Sequence, residues 1–144
     1  MITQIRHTGI VVEDLEKAFD FYRDALGFKV EKLMDEKGPF IETILGLNDL
    51  LVTTVKMSAP DGNLIELLYF KTHKDYAKNI KRRVFDFGIS HISLTVENLD
   101  SNYHRMKLAG ARFLSAPKKN VEGTAKVVFC LDPFGNILEL VEPI

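Results

Sequence analysis

The chain says the same thing twice, and no other feature limits its fold as much. Residues 5–15 (IRHTGIVVEDL) return at 89–99 (ISHISLTVENL), and residues 62–67 (GNLIEL) return at 135–140 (GNILEL). Each copy opens with a histidine, His7 or His91, in a strand-like run. Each closes with a glutamate, Glu66 or Glu139, inside another. A repeat of this length predicts two copies of one supersecondary unit rather than one irregular domain.

Strand periodicity puts Ile5, His7, Gly9 and Val11 on one face and Arg6, Thr8, Ile10 and Val12 on the other. In the second copy His91, Ser93 and Thr95 oppose Ile92, Leu94 and Val96. The histidine faces carry small or polar neighbours, so a cavity is expected there, with a helix covering the apolar side. That helix starts at Asp14 as N-cap, buries Leu15, Ala18, Phe19, Tyr22 and Leu26, and stops at Gly27. Its counterpart is capped by Asn98 or Asp100, carries Tyr103, Met106 and Leu108, and stops at Gly110. Strands are expected at 28–34, 50–57 and 63–70, then at 112–115, 125–131 and 136–142. Each half reads strand, helix, strand, strand, strand, an α+β arrangement within a single domain spanning 1–144. Module one covers 1–70, a linker 71–88 and module two 89–144. The basic stretch Lys71–Arg83, with Tyr76 and Ile80 one helical turn apart, joins them. His7 to Glu66 spans 59 positions against 48 for His91 to Glu139, and the 11 extra residues fall around Met34–Asn48. Residues 40–46 there are read as a short helix beside the cavity mouth.

Composition narrows the function classes. A net charge of −1 over 144 residues gives no reason to expect nucleic acid or an anionic membrane surface as partner. No apolar run approaches membrane-spanning length, and the opening residues do not resemble a secretory signal. Cys130 stands alone, so neither an internal disulfide nor a cysteine metal cluster is expected. The expectation is a cytoplasmic, soluble protein.

A carboxylate inside an apolar strand is costly to bury unless a cation compensates it. One such glutamate could simply face water from a half-exposed strand. Two, each repeated together with a histidine, read better as donors to a metal. His₂Glu₂ suits a borderline divalent ion such as Ni, Co, Zn, Fe or Mn. With four protein ligands an octahedral ion keeps two positions for adjacent substrate oxygens. Arg6, Arg82, Arg83, Lys118 and Lys119 are candidate anion holders but read more readily as solvated surface. His73, His104, Phe113, Phe134 and Cys130 read as linker, surface or packing residues.

His7-Thr8-Gly9-Ile10-Val11-Val12, then Ala18, Phe21-Tyr22 and Leu26-Gly27-Phe28, resemble the first signature of glyoxalase I. Through them the whole chain resembles the vicinal oxygen chelate superfamily (glyoxalase, bleomycin resistance, dioxygenase). The resemblance implies paired βαβββ modules forming a cup-shaped mixed sheet around one metal, with His7, Glu66, His91 and Glu139 as ligands. It implies a homodimer, with the modules paired within one chain or across two. It also implies a lyase or isomerase that moves a proton next to a carbonyl through a metal-bound enediolate. Glu139 would be the main base and Glu66 its partner, acting on a small molecule with adjacent oxygens, as in lactoylglutathione lyase. In methylmalonyl-CoA epimerases the position of Glu66 is typically glutamine, and Glu42 lies near the place of their second base. An epimerase, or a non-catalytic drug-sequestering binding protein, is the alternative.

Overall fold

The computed structural model describes residues 1–75 and 82–144. The Tyr76 and Ile80 pair expected in the linker lies outside the described residues. The chain divides into two compact units, Met1–Lys78 and Asn79–Ile144. Each carries its own mixed sheet with few helices, the α+β class expected.

In the first unit the elements run β1 (Thr8–Val11), α1 (Leu15–Ala18), β2 (Lys29–Lys37), α2 (Pro39–Leu45), β3 (Leu51–Ser58) and β4 (Leu64–Phe70). Strand order is β1-β4-β3-β2, with β1 parallel to β4 and the other pairs antiparallel. Asp14 caps α1 by accepting a hydrogen bond from the Lys17 amide at 3.1 Å. Beyond Ala18 the helix widens into a π-helical stretch, Phe19–Ala25, and ends where Gly27 takes φ +83°. The widening moves the buried stripe. Ala18, Phe21, Tyr22, Ala25 and Phe28 are buried, whereas the expected Phe19 and Leu26 are only half-buried. The sheet face that carries Ile10, Val12, Val55, Met57, Ile65 and Leu67 is buried as well. Asp35 on β2 accepts from Thr53 Oγ1 at 2.5 Å and from Lys71 Nζ at 2.8 Å, tying two strands to the segment after β4.

The extra residues of this unit do two things. They lengthen β2 to Lys37, and they form α2 with Pro39 in its first turn. Ile41 packs with Leu50 and Val52 in a small apolar cluster bordered by Leu47, Leu68 and Phe70.

The second unit holds β5 (Ile92–Thr95), α3 (Leu99–Leu108), β6 (Arg112–Phe113), β7 (Lys118–Lys119), β8 (Ala125–Leu131) and β9 (Ile137–Pro143). Order is β5-β9-β8-β6, with the two-residue β7 also pairing with β8, and β5–β9 is again the parallel pair. Leu99 and Met106 of α3 are buried on the side of the unit holding Val128, Cys130, Leu138 and Leu140. Leu108 is solvent-exposed. Asn98 occupies the N-cap with φ 51° and makes no side-chain cap bond. The Leu99 amide instead donates to Glu142 Oε2 at 3.3 Å. Among the described residues no helix is long and apolar enough to cross a membrane.

Candidate functional site

His7 stands one residue before β1, and Glu66 is the third residue of β4. The parallel register sets Gly9 beside Glu66, so His7 reaches the carboxylate diagonally from the same sheet face. His7 Nε2 lies 3.7 Å from Glu66 Oε1. The second unit repeats this residue for residue. His91 precedes β5 by one, Glu139 is third in β9, Ser93 takes the place of Gly9, and His91 Nε2 lies 3.7 Å from Glu139 Oε2. Small residues beside both glutamates leave room over the carboxylates. A Cβ added at Gly9 would stand 3.3 Å from Leu68 Cδ1.

Neither glutamate simply faces water, for their side chains keep only 14% and 24% of their exposure. At 3.7 Å each pair is also too far apart for a direct hydrogen bond. Two ligands held ~2.1 Å from one ion sit about 3 Å apart when adjacent and about 4.2 Å apart when opposite. The observed spacing falls inside that window, and imidazole with carboxylate is a donor set that borderline divalent ions accept. Within either unit, among the described residues, no third His, Cys, Asp or Glu joins the pair to form a metal-holding group. Each unit therefore offers one histidine–glutamate pair, two donors.

The surroundings of the two pairs differ. In the second unit Ser90 Oγ donates to the Val84 carbonyl at 2.9 Å and lies 3.1 Å from His91 Nδ1. Its hydroxyl proton is thus spent, and it can only accept from Nδ1–H. Of the two tautomers of a neutral ring, that contact selects the one with the lone pair on Nε2, toward Glu139. The His91 ring also meets Phe129 edge-on, centroids 5.0 Å apart. In the first unit Lys56 takes the place of Phe129: Lys56 is in register with Glu66 as Phe129 is with Glu139. Lys56 Nζ lies 3.9 Å from Glu66 Oε2. Ser90, Lys56 and Phe129 escape a reading of the repeat alone. Their signal was present, since Lys56 and Phe129 each precede a repeated glutamate by the same interval across a turn.

The other candidates have other partners. Glu42 Oε1 accepts from the Leu50 amide at 3.1 Å and so fastens α2 to the start of β3. Arg83 pairs with Asp86 at 2.7 Å and stacks over Phe85, and Arg82 donates to the Ile89 carbonyl. Arg6 is exposed, as are Lys118 and Lys119 on β7. His104 meets Tyr103 edge-on, and Phe113 packs on the same tyrosine at 4.2 Å. Phe134 is half-buried in the turn before β9, its amide donating to Asp132. His73 lines a shallow recess of about 260 Å³ with Val11, Leu47, Phe70 and Asp75. Burial pushes the Cys130 thiol up to about 12, with the nearby negative charge of Asp132 adding to the effect. A nucleophilic role for it is remote.

Two mixed sheets with a matched histidine–glutamate pair on each define a class before any comparison. The chain belongs to the Glyoxalase/Bleomycin resistance protein/Dioxygenase superfamily, whose family model matches residues 4–140. Members typically use a divalent metal. The chain is 31% identical over 133 residues to an ethylmalonyl-CoA/methylmalonyl-CoA epimerase of Cereibacter sphaeroides, covering 92% of this chain and 90% of that one. It is 26% identical to a probable lactoylglutathione lyase of Vibrio cholerae, over 96% of this chain and 90% of that one. A solved glyoxalase family protein from Bacillus cereus superposes with TM-score 0.89 at 25% identity, covering all of this chain and 96% of the other.

Proposed function

We propose that the protein is a metal-dependent lyase or isomerase of the glyoxalase I type, acting on a small molecule with two adjacent oxygens. One observation carries this reading: the same histidine–glutamate pair, at the same 3.7 Å, on the sheet of each unit. His7, Glu66, His91 and Glu139 would hold one divalent ion, with the two pairs supplied by one chain or by two chains of a homodimer. When bound, the ion supplies Lewis-acid stabilisation of negative charge on the substrate oxygens.

The chain's own residues then divide the work. Ser90 holds the His91 ring with Nε2 turned to Glu139. Glu139 turns one oxygen to His91 and leaves Oε1 for the substrate proton, which it takes from the carbon next to the carbonyl. Return of that proton to the neighbouring carbon is isomerisation, and its return to the same carbon from the other side is epimerisation. Glu66 faces His7 at one oxygen and the Lys56 ammonium at the other, and the nearby positive charge favours a carboxylate that acts as ligand over one that acts as base. Glu42, fastened to the Leu50 amide, makes a poor second base and so weakens the epimerase alternative.

The test is metal content per chain, followed by turnover of the hemithioacetal of methylglyoxal and glutathione and of methylmalonyl-CoA. Near-stoichiometric metal is expected, falling steeply in a Glu66→Ala, Glu139→Ala double variant. Glu139→Gln should lower kcat by about 10²- to 10⁴-fold with the fold intact by circular dichroism. Full activity in that variant would remove Glu139 as the base. A parent that takes up no metal would favour the drug-sequestering alternative.

A further inference from the structure

The first unit carries a charge pattern that its repeat partner lacks. Across its sheet, Gly9, Glu66, Lys56 and Lys32 stand in register on β1, β4, β3 and β2. Register partners point to one face, so two ammonium groups follow the glutamate on the side that also presents His7. Like charges directly opposite each other on neighbouring strands are destabilising. The acids nearby other than Glu66 have partners of their own. Glu31 is engaged by Ser58 Oγ at 2.6 Å and Lys29 Nζ at 3.4 Å, and Glu36 accepts from Thr54 at 3.2 Å. Glu66 is the partner of Lys56, and among the described residues Lys32 forms no ion pair.

Once Glu66 and Glu139 commit their charges to a divalent ion, that ion is neutralised and the two lysines are left in excess. The side chain of Lys56 is 45% exposed, accessible yet anchored at the carboxylate. The matching row in the second unit reads Ser93, Glu139, Phe129, with no cation. An anion is therefore the ligand group this face lacks.

We propose that Lys56, with Lys32 behind it, is the specificity-determining element of the site and recognises an oxyanion, a carboxylate or phosphate-type group, carried by the substrate beside its two adjacent oxygens. This rests on the metal-enzyme reading above and names the substrate class: a small α-oxygenated acid or phosphorylated compound rather than a neutral carbonyl. Lys56 donates to the oxyanion and takes no part in proton transfer, so it governs binding rather than the chemical step.

The test uses the metal-loaded full chain and three chelators sharing one hydroxamate head: acetohydroxamate, succinic monohydroxamate and phosphonoacetohydroxamate. Dissociation constants come from calorimetry, with metal content measured alongside. In the parent at least one charged-tail chelator should bind tenfold or more tighter than acetohydroxamate, an order-of-magnitude estimate for a charge-assisted contact, and which of the two wins separates carboxylate from phosphate-type recognition. Taken as the ratio to acetohydroxamate affinity in the same metal-loaded variant, that preference should be erased by Lys56→Met, kept by Lys56→Arg and reduced by Lys32→Met. A metal-loaded parent with no preference, or a preference that survives Lys56→Met, overturns the anion assignment alone. A parent that takes up no metal overturns the metal-enzyme reading and this proposal with it.

Discussion

Ser90 is where one hydroxyl decides what a histidine can do. Because it donates to the Val84 carbonyl, it selects, for a neutral His91, the tautomer whose Nε2 would be free to face a metal. Such outer partners are commonly worth 10- to 100-fold in metal affinity. Ser90→Ala should therefore weaken metal binding by roughly 10- to 100-fold, while Arg6→Ala, at the equivalent place in the first copy, should leave it near parent. Competition with a chelating dye measures both, and equal affinities would deny Ser90 that part. At this scale the sequence was half legible. His7, His91, Glu66 and Glu139 stood out because the repeat names them. Lys56 did not, because its role arises only when β3 folds back on β4 and brings it beside Glu66.

At the scale of elements, stability is expected to sit on the buried sheet faces. Leu67 on β4 is fully buried, whereas Leu33 on β2 is half exposed. Leu67→Ala should cost about 2–5 kcal/mol and Leu33→Ala well under that. Urea melts of the two variants settle it, and similar losses would mean that this face is not the core. Strand and helix order was readable because alternation and the stop glycines are local signals. The helix stripe was not, for Phe21 and Ala25 replace Phe19 and Leu26 once the helix widens after Ala18. Helical periodicity does not encode that widening. The two-residue β7 was equally hidden, since Lys118 and Lys119 join a sheet through backbone bonds and carry no strand pattern.

For the molecule as a whole, acid should be the weak side. Asp35 is held below the usual carboxylate range by hydrogen bonds from Lys71 and then Thr53, and Asp61 by the amide and side chain of Asn63. In the second unit the Arg83 guanidinium does the same for Asp86. A carboxyl depressed in the folded state adds stability that is fully present above its unfolded value, near pH ~4. That stability drains away as pH falls through the lower folded values. Thermal melts should hold steady from pH 7 to about 5 and decline below pH ~4. Asp35→Asn should lower stability at neutral pH and flatten the acid decline. An unchanged acid limb in that variant would show that Asp35 does not contribute to it.

Cys130 has a use at the bench. Its thiol is buried in β8 and, with its acidity pushed to about 12, gives almost no thiolate at neutral pH. The natural chain therefore arrives silent toward maleimides and iodoacetamides. A cysteine introduced at an exposed position, Val121 in the second unit or Phe40 in the first, would be the dominant reactive thiol. One spin label or fluorophore per molecule then follows without first engineering the native sulfur away, and the chain becomes a ready-made reporter for watching metal and chelator arrive.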